Sequence, residues 1–236
     1  MLKSIIIPSK ANAFIWLNLL ILVVFLVAGL VEPYAILFGY FLETIIIGIF
    51  NCFKIYKCHQ YDKKSKGLLF HILFFCFHYG FFIAVQSVFL FGIFSFSKTF
   101  QINEPFHLIE NFQLVLGLKG IPIMILVLFF TQFIKYFIDF ILPKKYLDFS
   151  VNDVFFKPYL RIFIQQFVVI LGSFFIIFSA SPVIAALILI VIRFLIDLFL
   201  ISIKKDSKTL DYLVEQSYNG KISKDELKKQ YEIFSE

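Results

Sequence analysis

Long apolar stretches alternate with short polar joins along most of the chain. The apolar runs are residues 12–31, 34–56, 68–96, 120–142, 159–180 and 183–203. A bilayer core of ~30 Å takes about 20 helical residues at 1.5 Å each, so every run is long enough to cross one. The joins hold helix breakers: Gly29 with Pro33, Lys63-Lys64-Ser65-Lys66-Gly67, Gly120 with Pro122, Pro143, Pro158 and Ser181-Pro182. Runs one and two, and runs five and six, are joined so tightly that each pair must be an antiparallel hairpin. The third run exceeds one membrane thickness, so it is expected to tilt, to kink near Gly80 or Gly92, or to emerge from the bilayer. The pattern predicts an all-α fold, a polytopic integral membrane bundle of six transmembrane helices over 1–203 with a short cytoplasmic helical tail over 204–236.

Between the third and fourth runs lies the one sizeable join. Within it Phe106, Ile109, Phe112 and Leu116 follow helical spacing opposite Glu110 and Gln113, which fits a short amphipathic helix on the membrane surface. The tail changes character, with seven bases against seven acids from Lys204 onward. It reads as two short helices around Asn219-Gly220, the second opened by the capping spacing of Ser223 and Glu226 and carrying Leu227, Tyr231 and Phe234 along one apolar side.

Composition agrees with the pattern. The chain is 60% hydrophobic and 16% charged, against about 25% charged in soluble domains. A formal charge of +6 raises nucleic acid as a partner, but the lysines flank the apolar runs and mark topology instead. With the N-terminus inside, seventeen basic residues fall on the cytoplasmic side and two, Lys98 and Lys119, outside. Both termini are therefore expected in the cytoplasm, with the lipid bilayer as the first partner and no nucleic acid. Lys3 and Lys10 precede a first run long enough to span, which reads as a retained anchor rather than a removable signal. Cys52, Cys58 and Cys76 lack a C-x-x-C spacing and read as small buried or interfacial hydrophobes.

Apart from Lys54 at the end of the second run, six charges sit inside the apolar runs: Glu43, Lys135, Asp139, Arg161, Arg193 and Asp197. A charge at the bilayer centre costs ~3 kcal/mol on insertion scales, so it persists where it is paired, hydrated or used. Lys135 with Asp139, and Arg193 with Asp197, are each a base and acid four residues apart, hence neighbours able to neutralise each other on one helix. Arg161 with Gln165 opens the fifth run as an interfacial or paired arginine. Glu43 and Asn51 share a helix face, and Gly39 and Gly48 on that helix permit close approach of a neighbour. With His78, Tyr79 and Gln86 on the third run and Gln132 on the fourth, these residues form a candidate polar intramembrane cluster, His78 being a possible proton-handling partner for Glu43. His71 and His78 lie ~10 Å apart along one helix, and no metal-ligand spacing, catalytic motif or cofactor motif is present.

Two resemblances follow from particular residues. Leu210, Leu213, Gly220-Lys221-Ile222-Ser223 and Glu226-Leu227 resemble the short C-terminal (SHOCT) domain that ends many bacterial membrane proteins, which implies oligomerisation or a membrane partner through the tail. Over roughly 12–203, Tyr40-Phe41-Leu42-Glu43 with Gly48 and Asn51-Cys52-Phe53-Lys54, Phe77-His78-Tyr79-Gly80-Phe81-Phe82, and Pro158-Tyr159-Leu160-Arg161-Ile162 with Leu171-Gly172 resemble a bacterial multi-pass family, domain of unknown function sixty-four ninety-eight. That implies a bacterial cytoplasmic (inner) membrane location and no stated activity. The family pattern leads one to expect a Ser-His pair where Thr131-Gln132 stands and His where Gln165 stands, and Gln replaces His only as a hydrogen-bonding group. Of three functions, transport is the preferred reading, a scaffold the alternative and an enzyme the second alternative. The polar cluster suits proton-coupled movement of a small solute or ion. The tail suits a non-catalytic scaffold or accessory subunit. Glu43 and His78 would serve an intramembrane enzyme on a lipid-linked substrate.

Overall fold

The computed structural model describes residues 6–9, 12–62, 67–95, 102, 104–178, 182–203, 207–220 and 222–235, without the side chains of 160, 161, 165, 176, 229 and 232–235. Every element among them is helical: α1 (Ala13–Val27), α2 (Pro33–His59), α3 (Leu68–Phe94), α4 (Leu108–Leu116), α5 (Ile121–Lys135) continued by a π-helical turn (Tyr136–Ile141), a 3-10 turn (Lys145–Leu147), α6 (Val151–Phe178), α7 (Pro182–Ser202), α8 (Lys208–Ser217) and α9 (Lys224–Ser235). Five helical stretches are long and apolar enough to cross a membrane: α2, α3, α5 with its π turn, α6 and α7. The first apolar run forms a shorter helix, 15 residues in α1. The third stays α-helical straight through Gly80 and Gly92.

The chain divides into two compact units, residues 22–190, and residues 1–21 together with 191–236. Within the first, α2 packs against α3, α5 and α6. Its most apolar window is 72% buried, against 11% in α3 and 22% in α5, so α2 is the internal helix and the others face outward with one side. Small residues set these approaches. A Cβ at Gly48 would strike the Tyr79 ring and one at Gly39 the Met124 thioether. Gly120 combines φ of +94° with the Val31 backbone so near that a Cβ would lie 2.7 Å from Val31 Cα. There Glu32 N donates to Lys119 O at 3.2 Å, which fastens the α1–α2 join to the α4–α5 join. The opposite end is fastened too, because Asp62, just past α2, accepts from Val151 N at 3.2 Å.

Three local features differ from the simple helical pattern. Pro158 was expected to separate helices, yet it is buried inside α6, which starts at Val151. The true start signal is Ser150 with Asp153, a reciprocal cap in which Ser150 N donates to Asp153 Oδ2 (2.9 Å) and Asp153 N to Ser150 Oγ (3.2 Å). Proline has no N–H for the carbonyl four residues back. That carbonyl belongs to Val154, and Asn51 Nδ2 of α2 donates to it at 3.2 Å. A second difference lies in α5, whose last turn is π-helical, with Leu142 N donating to Phe137 O five residues back. Lys135 and Asp139, expected to neighbour each other, stand at the end of the α-helical part and inside the π turn respectively. Third, α4 buries Asn111 and Val115 and sets Phe112 against Phe41 and Phe91 (6.0 and 5.4 Å between centroids), whereas Phe106 and Ile109 point outward. One side of that helix packs on the protein, and apolar residues remain on the other.

In the second unit the start of α1 meets the middle of α7 through an edge-to-face pair, Trp16 and Phe194, at 4.7 Å. The tail is a helical hairpin turned at Gly220, with φ of +77°. Ser207 caps α8 by accepting from Leu210 N at 3.0 Å, and Ser223 accepts from Glu226 N at 3.2 Å at the start of α9. Ile203, Leu210 and Val214 form its core, covered by Leu213, Leu227 and Tyr231. Lys228 bridges to Asp211 at 3.0 Å. The side chain of Phe234, expected on the apolar side of α9, lies outside the described residues.

The Pro158 arrangement makes a prediction. Asn51→Ala strands the Val154 carbonyl and should cost about 1–3 kcal/mol. In a Pro158→Ala background the new backbone N–H bonds that carbonyl, so the same Asn51→Ala change should cost far less. Chemical unfolding in mixed micelles of the two single variants and the double variant measures this coupling; strict additivity would contradict the assignment.

Candidate functional site: polar groups buried around the second helix

Glu43 stands near the middle of α2 with only 3% of its surface exposed. Gln132, in the last turn of α5, donates from Nε2 to Glu43 Oε1 at 2.7 Å. On the adjoining side of α2, Tyr79 of α3 donates its hydroxyl to Thr44 O at 2.7 Å, while its ring fills the space left by Gly48. Two turns on from Glu43 comes Asn51 and its bond to Val154 O. Thus four of the expected residues, Glu43, Asn51, Tyr79 and Gln132, meet on α2, and each forms a hydrogen bond that joins α2 to another helix.

The remaining candidates are placed elsewhere. His78 shares a 2.7 Å hydrogen bond between Nδ1 and the Tyr159 hydroxyl of α6. Its ring is stacked on Phe74 (5.6 Å, 9°) and met edge-on by Phe82 (5.2 Å). The structure thus gives His78 to Tyr159 and Glu43 to Gln132. Gln86 is half-buried two turns beyond Tyr79 on α3 and takes no part in these bonds. Arg161 and Gln165 lie on α6, and their side chains fall outside the described residues. Arg193 Nε donates to Asp197 Oδ2 at 2.9 Å within α7, with Arg193 itself buried. Lys135 ends the α-helical part of α5, and Asp139 sits in the π turn, close enough to act electrostatically on Lys157.

Sequence reasoning missed several features near this site. Lys157 was counted as a loop base, yet it is buried in α6 with its amine 5.2 Å from the Phe149 ring centroid. Lys54 lies over Phe140 at 5.5 Å and Lys57 over Tyr146 at 5.2 Å, so these lysines lay their charge on aromatic faces at one end of the unit. The Lys-aromatic interleaving of 54–61 and 140–157 was the available signal. Tyr159, the partner of His78, carried none beyond its place beside Pro158. Among the described residues no group of three or more His, Cys, Asp or Glu side chains is placed to hold a metal ion.

Gln132 is one partner of Glu43, and a carboxylate oxygen accepts its amide proton. Gln132→Leu removes a donor from a buried acceptor and should cost about 1–3 kcal/mol. Gln132→Glu, which turns the donor into a second acid beside Glu43, should cost at least as much near neutral pH. Thermal unfolding in detergent ranks the two; no loss in either variant would mean that this bond does not help to hold α5 to α2.

Comparison with known proteins gives one match. A family described as "Family of unknown function (DUF6498)" matches residues 1–226, a range that takes in α1 to α8 and the start of α9. No curated protein and no solved structure matches the chain. A match over nearly the whole length, on top of the residues around Glu43, His78 and Pro158 that carried the resemblance, means that the chain belongs to this family of unknown function.

Proposed function

We propose that this chain is a six-span protein of the bacterial cytoplasmic membrane, acting as a non-catalytic scaffold or accessory subunit, with both termini and the 204–236 tail in the cytoplasm. The observation that carries the reading is the use made of the buried polar groups. Gln132 with Glu43, Tyr79 with Thr44 O and Asn51 with Val154 O each tie one helix to another. In a hydrocarbon medium, where helices gain nothing from mutual hydrophobic burial, such bonds and close glycine contacts supply the association. The two departures from the family pattern agree, since Gln132 and Gln165 retain hydrogen bonding and forgo the proton exchange of histidine.

Membrane insertion is supported by the outward apolar faces, such as Leu69, Phe77, Phe81 and Phe89 of α3. The topology is supported by the two fastened ends. Leu30–Glu32 meets Lys119–Gly120 at one, and Asp62 meets Val151 at the other, as alternation of spans requires. The tail, whose α8 and α9 close on their own small core, supplies a module for a second copy or a membrane partner, in keeping with its SHOCT-like residues. A second reading, proton-coupled movement of a small solute or ion, is favoured by one observation, the burial of the ionisable Glu43.

Removing residues 207–236 should dissociate the assembly purified from membranes and leave the remaining helices folded by circular dichroism. Monodisperse oligomers that survive the deletion would count against the scaffold reading. In proteoliposomes, proton or solute flux abolished by Glu43→Gln would establish transport in its place. A C-terminal phosphatase fusion should be inactive and a C-terminal fluorescent fusion bright; the reverse pattern would overturn the cytoplasmic placement of the tail.

A further inference from the structure

Two thiols from different helices face each other outside the cluster already described. Cys52 Sγ of α2 lies 3.7 Å from Cys76 Sγ of α3, and both cysteines are free. Their meeting follows from the helix faces. Cys52 lies four residues after Gly48, and Cys76 three before Tyr79, so each shares a face with one partner of the Gly48–Tyr79 contact. The close approach that Gly48 allows therefore brings the thiols together as well. A disulfide requires a sulfur separation of ~2.05 Å, so the pair must close by roughly 1.7 Å, within reach of side-chain rotation and small backbone shifts.

We propose that Cys52 and Cys76 form a reversible dithiol–disulfide couple in the apolar band of the protein, oxidised by a lipid-soluble two-electron acceptor of the quinone class. The acceptor is indicated by the setting. Cys76 is exposed among the outward apolar residues Leu73, Phe77 and Phe81. Cys52 lies seven residues before the end of α2 and Cys76 eight after the start of α3, about 10–12 Å inward from the hairpin loop. A water-soluble thiol or disulfide reaches that depth poorly, whereas a quinone partitions into it. In the reaction both S–H bonds break, one S–S bond forms, and two electrons and two protons pass to the quinone, giving the hydroquinone. Oxidation clamps α2 to α3 beside the Gly48–Tyr79 contact, and reduction frees the two helices to separate. The choice of acceptor rests on the membrane reading; the thiol geometry does not.

The test uses the full chain in lipid nanodiscs under anaerobic conditions, treated with a fully substituted short-chain benzoquinone, which accepts electrons without adding to thiols. Intact mass after denaturation in dodecyl sulfate and alkylation should show two of the three thiols lost to alkylation, with peptide mapping joining Cys52 to Cys76 and dithiothreitol added to the denatured protein restoring both. Cys52→Ser and Cys76→Ser should each abolish the change, and Cys58→Ser should leave it intact. Three thiols still alkylated after quinone treatment would overturn the proposal. In that event a parallel reaction with water-soluble diamide in detergent locates the error: closure there faults the acceptor and hence the membrane reading, and no closure faults the thiol geometry.

Discussion

A single missing hydrogen fixes how α6 meets α2. Pro158 withholds an amide proton from the carbonyl of Val154 in the first turns of a 28-residue helix. A proline within a helix costs ~3 kcal/mol or more when nothing answers the carbonyl, and the penalty is greater away from water. Asn51 answers it from the neighbouring helix. The defect in α6 becomes the point at which α6 is fixed to α2, in rotation as well as in height. Because α2 is also the helix against which α3 and α5 pack, that registration governs where Glu43, Gly48 and Cys52 present themselves.

The polar residues of α2 then share one logic. Each is spaced about two turns or less from the next, and each meets a different neighbour: Glu43 meets α5, Thr44 offers its carbonyl to α3, and Asn51 meets α6. Interhelical hydrogen bonds in membranes are worth only about 0.6–2 kcal/mol apiece, so none acts alone. Their value lies in specificity, since a helix surrounded by apolar neighbours could otherwise rotate or slide at little cost. The π turn after Lys135 serves the same end by resetting the register of α5, so that Phe140 turns inward, 1% exposed, while Gln132, about two turns earlier, still reaches Glu43.

Much of this was legible from residue order alone. Apolar runs separated by breakers marked the helices, five of them long and apolar enough to cross a membrane and the first run a shorter one. The polar cluster was half legible: Glu43, Asn51, Tyr79 and Gln132 do meet on α2, while His78 turns to Tyr159. Periodicity places a residue on a face and leaves its neighbour on another helix undetermined. Pro158 misled because a local rule, that proline ends helices, was overridden by a tertiary partner 103 positions from the rescued carbonyl. The start of α6 was written in Ser150 and Asp153, a capping signal overshadowed by the proline. The π turn has no comparable signature, as its cost is local and its gain comes from packing against α2.

Polar groups that serve as ties between helices, as proposed for those around Glu43, require a dry interior there. Water-edited solid-state NMR tests this directly, on protein in lipid bilayers with 13C-labelled glutamate carboxyls. The Glu43 signal should receive no rapid polarisation from water, in contrast to the exposed Glu215 and Glu226 of the tail. Rapid transfer to Glu43 would reveal a hydrated cavity, and the buried carboxylate would then be a site on a path rather than a tie between helices.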